Sequence, residues 1–595
     1  MPPPARPPDD PGAAAARRLV RAHLQATDYG ACTDAALRLR WPTRIDDDDG
    51  LWLAAAWAIA EGFGLPLPSG AAGIVSWIGV LLAGEADTAL DRASPEAVLA
   101  WCTAAGEWCE RHGLDAPFAR LSARAAAADA QAPAWARVHW RIASAWHHEA
   151  FGRFVQVGEL LDEAAALAAT AGDPGLVIVV SLKQARLALS RARPAEALLQ
   201  AEAVAARLVP GGAPLWWADL ADIRARAALA QGDPVSALHQ ARLCDGLARQ
   251  AGATPAYTVT YRVNEAYALL GQGAVDDAVA LVCELAAVPM PPRLQQRVAL
   301  LARLFTLARD DRAGRWDADQ DAALETTVQR LRALDWTGVL ALLPAVVARL
   351  WARALEAGIE PDWVHAAITS RALPPPEPCW PDAWPWPLRL QVLGGFTWQR
   401  AGDGDAATQG GRAALKPIEL LSRLAAEAGL APMPAETLAQ ALWPGEGREG
   451  RDKALETTLA RLRRLIGDAA ALRLAERRLR LDPQHVWLDR AALERRLSLI
   501  DAAVCAGSSA NGPPVAVQWN AALDLWRGPL LADAGDDDAV PDWLLQARTR
   551  LRQRMAASLL GSAGVSGHPA RCLRAVAADP GLGRWLGPLL AAASA

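Results

Sequence analysis

The sequence predicts a mainly α-helical protein with more than one domain and a small mixed α+β region in its second half. Residues 14–373 are rich in alanine and leucine, which favour helices, and lack sustained alternation of apolar and polar residues. Such alternation appears at 388–400 and again at 471–481. The chain has 595 residues, and single hydrophobic cores stop growing near ~250–300 residues, so we expect separate domains.

The N-terminus and the hydropathy of the chain predict a cytoplasmic protein. Residues 1–13 are rich in proline and have no apolar segment, so we expect a disordered leader rather than a signal peptide. No stretch approaches the ~18 consecutive apolar residues that a membrane span needs. We therefore expect no membrane partner.

The distribution of charge is more informative than its sum. The whole chain has a formal net charge of -5, yet nine Lys or Arg stand against four Asp or Glu between Arg451 and Arg480, a local charge of +5. A basic island on an acidic chain suits short-range contact with phosphate groups.

The motifs of the common enzyme classes are missing from the sequence. No cysteine pair has CxxC spacing, His147 and His148 have no third metal ligand at helical spacing, and no GxxxxGK[ST] loop occurs. No nucleophile and base stand in a recognisable arrangement. We expect neither an enzyme nor a cofactor or metal site.

A repeat is visible within the helical region. The stretches 191–205, 230–244 and 271–285 each have a tight turn followed by a small residue in the next helix. The small residues are Ala197, Ala237 and Ala278, at steps of 40 and 41 residues. Small residues let paired helices approach closely, and stacked pairs bury a continuous core.

This layout resembles the longer kind of tetratricopeptide repeat found in large bacterial regulators such as the maltose activator. The resemblance implies a tetratricopeptide-like α-solenoid over residues 14–373, although other helical solenoids share the layout. The chain has 25 Trp, many of them in these helices. They either fill helix interfaces or line a concave surface that holds a small-molecule or protein effector.

Residues 374–387 separate the helical region from the last third of the chain. They contain the run PPPEP and further prolines, which exclude a helix. We expect a linker between two independently folded parts.

The pattern of elements after the linker changes. The alternating segments 388–393 and 396–400 predict two strands, joined at Gly394 and Gly395. Three helices are then expected, at about 416–428, 434–443 and 451–466.

The third of these helices has two distinct faces. At 100° per residue, one face is apolar and the other is basic with a hydroxyl group. The apolar face has Leu455, Leu459, Leu462 and Ile466, and the basic face has Lys453, Thr457, Arg461 and Arg464. Long donors with a small residue among them suit the major groove of DNA. A solvated, arginine-rich surface helix is the alternative, and Glu456 near the basic face favours it.

A hairpin with a basic tip follows directly. Residues 471–474 and 479–481 alternate like paired strands, and 475–478 connect them with the sequence AERR. An arginine-tipped hairpin after a basic helix is typical of a wing that reaches phosphates or the minor groove.

Residues 388–485, in this order of strands, three helices and wing, resemble the OmpR/PhoB-type winged helix. The run LETTLARLRRLIG, the opening LRLQVLGGFTWQR and the Leu-Trp-Pro after the second helix resemble the bacterial activators of the antibiotic-regulator (SARP) type. The resemblance implies double-stranded DNA and RNA polymerase as partners. It assigns groove contacts to Lys453, Thr457 and Arg461, with Thr458 and Arg464 nearby, and wing contacts to Arg477 and Arg478.

Residues 486–595 resemble the helical transcriptional activator domain that often comes next in that family. The resemblance rests on VWLD at 486–489, ALDLWRGPLLAD at 522–533 and the apolar residues of the helix after Trp543. The copy is short. We expect a DNA-binding regulator that acts as a homodimer on two half-sites and is controlled through the solenoid. The alternative is an interaction scaffold whose winged helix docks a protein partner.

Overall fold

The computed structural model is mainly α-helical, with few and short strands. The residues that it describes are 11–24, 29–40, 47–67, 78, 82–83, 91–209, 212, 214–336, 339, 342–376, 381–401, 415–507, 513–562 and 569–586. The chain divides into two compact units, Met1–Ala372 and Leu373–Ala595.

The described part of the first unit is built from helices joined by short turns. Their bounds are α1 Pro11–Leu24, α2 Tyr29–Ala36, α3 Asp48–Gly62, α4 Pro95–His112, α5 Asp115–Asp129, α6 Ala134–Ala150, α7 Phe154–Ala171, α8 Pro174–Ser190, α9 Pro194–Ala205, α10 Pro214–Ala230, α11 Pro234–Gln250, α12 Pro255–Gln272, α13 Val275–Ala286, α14 Pro292–Arg312, α15 Ala318–Ala333, α16 Pro344–Glu356 and α17 Pro361–Ser370. Proline begins many of them because its missing N–H costs nothing at the first helical position.

The small residues of the sequence repeat lie where the helices pack. Ala197, Ala237 and Ala278 are all 0% exposed, in α9, α11 and α13. Each of these helices packs against the helix before it and the helix after it. A larger side chain at these positions would force the helix pairs apart.

The first helix begins earlier than the sequence analysis predicts. The expected leader, 1–13, ends inside α1, which starts at Pro11 and buries Ala13 completely. Residues 1–10 lie outside the described residues. The proline at the first helical position starts the helix, and the alanines that come after it have the highest helix propensity.

Segments that are far apart in sequence meet within the first unit. The Gly30 N–H donates to the Ala251 carbonyl over 3.1 Å, and Arg293 donates to the Ala150 carbonyl over 2.8 Å. One hydrophobic core contains residues from both α4 and α10, such as Trp101 and Leu215. Helices that are more than a hundred positions apart in the sequence are therefore in contact.

The second unit combines two small sheets with helices. Its strands are β1 Leu388–Gln391, β2 Thr397–Arg400, β3 Met433–Pro434, β4 Leu472–Ala475, β5 Arg478–Leu481 and β6 Val486–Leu488. Its helices are α18 Leu415–Glu427, α19 Ala435–Leu442, α20 Arg448–Ile466, α21 Asp489–Cys505, α22 Pro513–Leu525, α23 Asp542–Ser562 and α24 Pro569–Ala578. One sheet has the order β2-β1-β6 and the other β3-β5-β4.

The second half of the predicted linker belongs to this unit. Trp384 and Trp386 are 2% and 3% exposed. Asp382 accepts hydrogen bonds from Trp487 Nε1 at 2.9 Å and from Arg495 at 3.2 Å. The segment 381–387 is therefore a packed strap. Residues 377–380 lie outside the described residues.

The chain does not start a new core after residue 485. Strand β6 pairs in parallel with β1, so that Leu388 lies opposite Val486. The buried Asp489 carboxylate accepts the Val392 N–H at 2.9 Å and the Leu393 N–H at 3.0 Å. One hydrophobic core extends on both sides of the boundary that the sequence analysis places between 485 and 486. Within the described residues, no helix has the length and apolar character needed to cross a membrane.

Candidate nucleic-acid interface

Helix α20, Arg448–Ile466, has the apolar face that its sequence predicts. Leu455, Leu459, Leu462 and Ile466 are between 0% and 5% exposed and lie in the core of the second unit. The helix packs against α18 and α19 through this face. It ends at Gly467, whose φ of +79° is the left-handed conformation that commonly closes a helix.

The opposite face of α20 is exposed to solvent. Lys453, Thr457, Arg461 and Arg464 are all exposed. Among the described residues, no side chain forms an ion pair or a hydrogen bond with the charged groups of the three cations. The Thr457 hydroxyl donates to the Lys453 carbonyl at 2.9 Å, within the helix. The three cations are therefore available to an anionic partner.

Thr458 lies elsewhere than the family resemblance implies. It is 6% exposed and lies on the buried side of α20. Its neighbour Leu459 is 2% exposed, so the two residues follow the same packed face. Thr458 is therefore removed from the candidate contact residues.

The predicted wing is a hairpin of β4 and β5 with a two-residue turn. Ala475 pairs with Arg478, and the turn consists of Glu476 and Arg477. Both turn residues have positive φ, +50° and +58°. Such turns favour Asn-Gly, and a residue with a long side chain in this conformation costs of order 1–3 kcal/mol. The structure thus holds two exposed charged residues in an unfavourable backbone conformation.

The hairpin is attached to the helix in two places. At its tip, Arg477 donates to Asp452 Oδ2 at 3.4 Å, and at its base Arg463 donates to the Leu472 carbonyl at 3.1 Å. Arg478 is exposed and donates to the Pro432 carbonyl at 3.4 Å. Arg477 therefore lies beside α20, while Arg478 lies beside Pro432.

Two further cations near this surface were not among the predicted contacts. Arg448 is exposed and begins α20, because the helix starts three residues before the predicted position. Arg480, on β5, is half-buried. The run GEGREG, which precedes the predicted helix, could have indicated Arg448, because a helix extended into this run would include it.

Other charges reduce the basic character of the region. Glu449 and Glu456 are exposed on α20 itself. Arg473 is paired with Asp482, and Asp452 is paired with Arg477. The interface is thus basic along one line of α20 and mixed elsewhere.

Metal-binding and reactive groups are buried or scattered in the part of the chain that the structure describes. No group of three or more His, Cys, Asp or Glu side chains is placed to hold a metal ion there. His147 Nε2 lies 3.0 Å from Asp115 Oδ1, and burial lowers the pKa of His147 to about 4. Burial raises the pKa of the Cys102 thiol to about 12, which makes it unreactive.

In comparisons with known proteins, the chain matches no protein-family model and no curated protein.

Proposed function

We propose that this chain is a sequence-specific, DNA-binding transcription regulator. In this proposal the second unit is a winged helix that resembles the OmpR/PhoB type, and α20 enters the major groove with Lys453, Arg461 and Arg464 toward the bases and phosphates. One observation carries the proposal: these three cations are exposed and unpaired among the described residues, on a helix attached to an arginine-tipped hairpin.

The geometry suits double-stranded DNA for a physical reason. The major groove is about 12 Å wide and admits one helix. Arg461 is long enough to donate two hydrogen bonds to a guanine edge. Thr457 has a short side chain, which lets the helix approach the bases closely. The strained conformation of Arg477 also supports a role for the hairpin tip, because strain of this kind persists most often at functional sites.

The family resemblance supplies the remaining parts of the proposal. They are a cytoplasmic protein that binds tandem half-sites as a homodimer, contacts RNA polymerase and is regulated through a tetratricopeptide-like first unit. A homodimer is favoured because a single winged helix buries little surface and reads few base pairs.

The decisive experiment measures binding of the full chain to fragments of genomic DNA over a series of salt concentrations. Contacts with several phosphates predict that the binding constant falls steeply with salt. In a plot of log binding constant against log salt concentration, each phosphate contact contributes about −0.9 to the slope. The triple variant Lys453→Ala, Arg461→Ala, Arg464→Ala should abolish specific binding. Arg550→Ala on α23, also exposed and unpaired among the described residues, is the control and should bind normally.

A protein-docking role for the same surface is the competing function. The acidic residues Glu449 and Glu456 and the Arg477–Asp452 pair favour it, because they suit a partner with mixed charges. A chain that is folded yet binds no DNA fragment at low salt would refute the regulator proposal and leave the docking role.

A further inference from the structure

A ladder of charged and polar side chains lies inside the first unit. It follows the alternate helices α8, α10 and α12, which pack against one another. Its members recur in two rows at intervals of 36 and 42 residues. The first row is Lys183, Asp219 and Tyr261, and the second row is Arg186, Asp222 and Asn264. We call these six residues, together with Trp146 of α6, the inner charged cluster.

The carboxylates of the cluster have neutral hydrogen-bond donors. Tyr261 donates its hydroxyl to Asp219 Oδ1 at 2.9 Å, and Asn264 donates to Asp222 Oδ1 at 2.6 Å. Asp222 is buried, at 3% exposed, yet its Oδ2 atom has no hydrogen-bond partner among the described residues. A buried polar atom without a partner costs roughly 1–3 kcal/mol, so an occupant that pairs with it is favoured.

The two cations of the cluster have unused donors. Lys183 Nζ lies 3.7 Å from Asp219 Oδ2, and Arg186 Nη1 lies 3.8 Å from Asp219 Oδ1. Both distances exceed a hydrogen bond, and within the described residues neither cation has another hydrogen-bond partner. Lysine has three N–H donors and arginine has five. The two side chains are held over the Trp146 ring, at 4.5 Å and 5.2 Å from its centroid.

The two cations are mostly buried, yet solvent reaches part of each. The side chains of Lys183 and Arg186 are 13% and 25% exposed, while Trp146 beside them is 36% exposed. Electrostatic attraction is stronger at partly buried charges than at an open surface, because less water surrounds them.

The carboxylates around the two cations differ in their partners. Asp222 accepts a hydrogen bond from Asn264, and burial raises the pKa of its carboxyl. Burial also lowers the pKa of Lys183, whereas an arginine stays charged in proteins. Glu107 of α4 is bound to His23 and Arg111, and Glu149 of α6 accepts a hydrogen bond from Ser190 at 2.5 Å. Lys183 and Arg186 thus share Asp219 as their nearest carboxylate.

We propose that the inner charged cluster binds a small organic carboxylate through Lys183 and Arg186. The planar carboxylate accepts hydrogen bonds from the guanidinium and the ammonium, and a hydroxyl or amino group of the ligand pairs with Asp222 Oδ2. Asp219 lies beside both cations and repels a second negative charge on the same group. A singly charged carboxylate therefore fits better than a phosphate.

The proposed function includes regulation through the first unit, and this site names the chemical class of the effector. In that respect the inference rests on the proposed function. Ligand binding itself does not depend on DNA binding. A chain that binds a carboxylate but no DNA would refute the regulator proposal alone, and a chain that binds DNA but no carboxylate would refute this site alone.

The test measures the thermal unfolding midpoint and the binding heat of the full chain with a panel of probes at equal ionic strength. The probes are acetate, lactate, succinate, glutamate and inorganic phosphate, with sodium chloride as the reference. We expect at least one hydroxy- or amino-carboxylate to raise the midpoint and to bind with a measurable heat. No response to any carboxylate, or an equal response to phosphate, would overturn the proposal.

Variants then locate the site. Arg186→Gln should weaken carboxylate binding by about tenfold or more, equivalent to about 1.4 kcal/mol. The control Arg242→Gln, at a side chain that is 61% exposed on α11, should leave it unchanged. If Arg186→Gln does not fold, Trp146→Phe decides instead: it retains an aromatic ring but loses the wider indole surface, and should weaken binding by a smaller factor. Unchanged binding in the folded variant refutes the site.

Discussion

Arg477, at the tip of the hairpin, donates to Asp452 Oδ2 in α20 across 3.4 Å, and the two side chains are 63% and 43% exposed. The contact joins the β4–β5 turn to the first turns of the helix. An exposed pair of this length contributes about 0–1 kcal/mol. A DNA phosphate can therefore displace Asp452 from Arg477 at little cost.

Asp452→Asn should strengthen DNA binding. The change frees Arg477 from its carboxylate and removes one negative charge from the helix proposed to contact DNA. We expect a higher affinity at every salt concentration, with an increase of up to about 0.9 in the salt slope if Arg477 then contacts one more phosphate. The control is Asp277→Asn, an exposed aspartate of α13 in the first unit. Weaker binding by the Asp452 variant would contradict this role of the pair.

Arg461 and the wing arginines should differ in what they contribute. Arg461→Ala should cost about 1–3 kcal/mol at one base position and relax the sequence preference there. The double variant Arg477→Ala, Arg478→Ala should weaken binding to all sequences and flatten the salt slope. Competition between a matched and a scrambled site measures both effects. Equal losses on the two sites for both variants would exclude this division.

Thr457 and Thr458 form a matched pair for testing which face of α20 contacts DNA. Thr458→Val should leave DNA affinity unchanged, because the residue is 6% exposed on the packed side. Thr457→Arg should change the affinity or the sequence preference, because it adds a long donor to the exposed face. Titration of one DNA site with both variants decides the matter. A specific loss in Thr458→Val without loss of stability would show that the contact face is wrongly assigned.

Asp382→Ala should destabilise the second unit by about 2–3 kcal/mol. The change leaves Arg495 and Arg496 without this carboxylate and removes the acceptor of Trp487 Nε1. Hydrogen exchange of amides in the second unit, measured in the full chain, reports the loss. Asp524→Ala removes an ion pair whose aspartate is 69% exposed, so this control should change stability by less than about 0.5 kcal/mol. A similar effect of both variants would mean that the strap carries little of the stability.

Glu107 should make the first unit sensitive to acid. Burial raises the pKa of Glu107, but the nearby His23 and Arg111 more than offset this effect and hold it at about 2, below its usual 4.5. Between these pH values the unfolded chain binds a proton that the folded chain does not, so stability falls as the pH falls. The stabilisation present above pH 4.5 is about 3 kcal/mol at most.

The variant Glu107→Gln removes this titration. Its free energy of unfolding should be lower than that of the original chain at neutral pH, and the difference should shrink between pH 4.5 and about 2. Denaturant unfolding at several pH values provides the measurement. Glu163→Gln, at a side chain that is 59% exposed, should follow the original chain throughout. A constant difference over the whole pH range would show that Glu107 does not titrate in this way.

Local patterns were sufficient for most of the elements between 388 and 481. The expected helix at 416–428 is Leu415–Glu427, and the two faces of α20 follow from the 3.6-residue period alone. The alternation at 471–481 predicts the β4–β5 hairpin, although the exact turn residues, Glu476 and Arg477, depend on the register. The short strands β3 and β6 were missed, because two or three residues contain too little alternation to detect.

The sequence by itself determined that this chain is mainly helical, where three helices and the hairpin lie between 388 and 485, and which face of α20 is apolar. These properties depend on residues within one or two turns of each other. Only the tertiary structure decided that 381–387 is a strap, that β6 joins β1, and that Lys183 and Arg186 meet Asp219 and Trp146. Such contacts join residues tens to hundreds of positions apart. They depend on how helices and strands pack, and no local period records that arrangement.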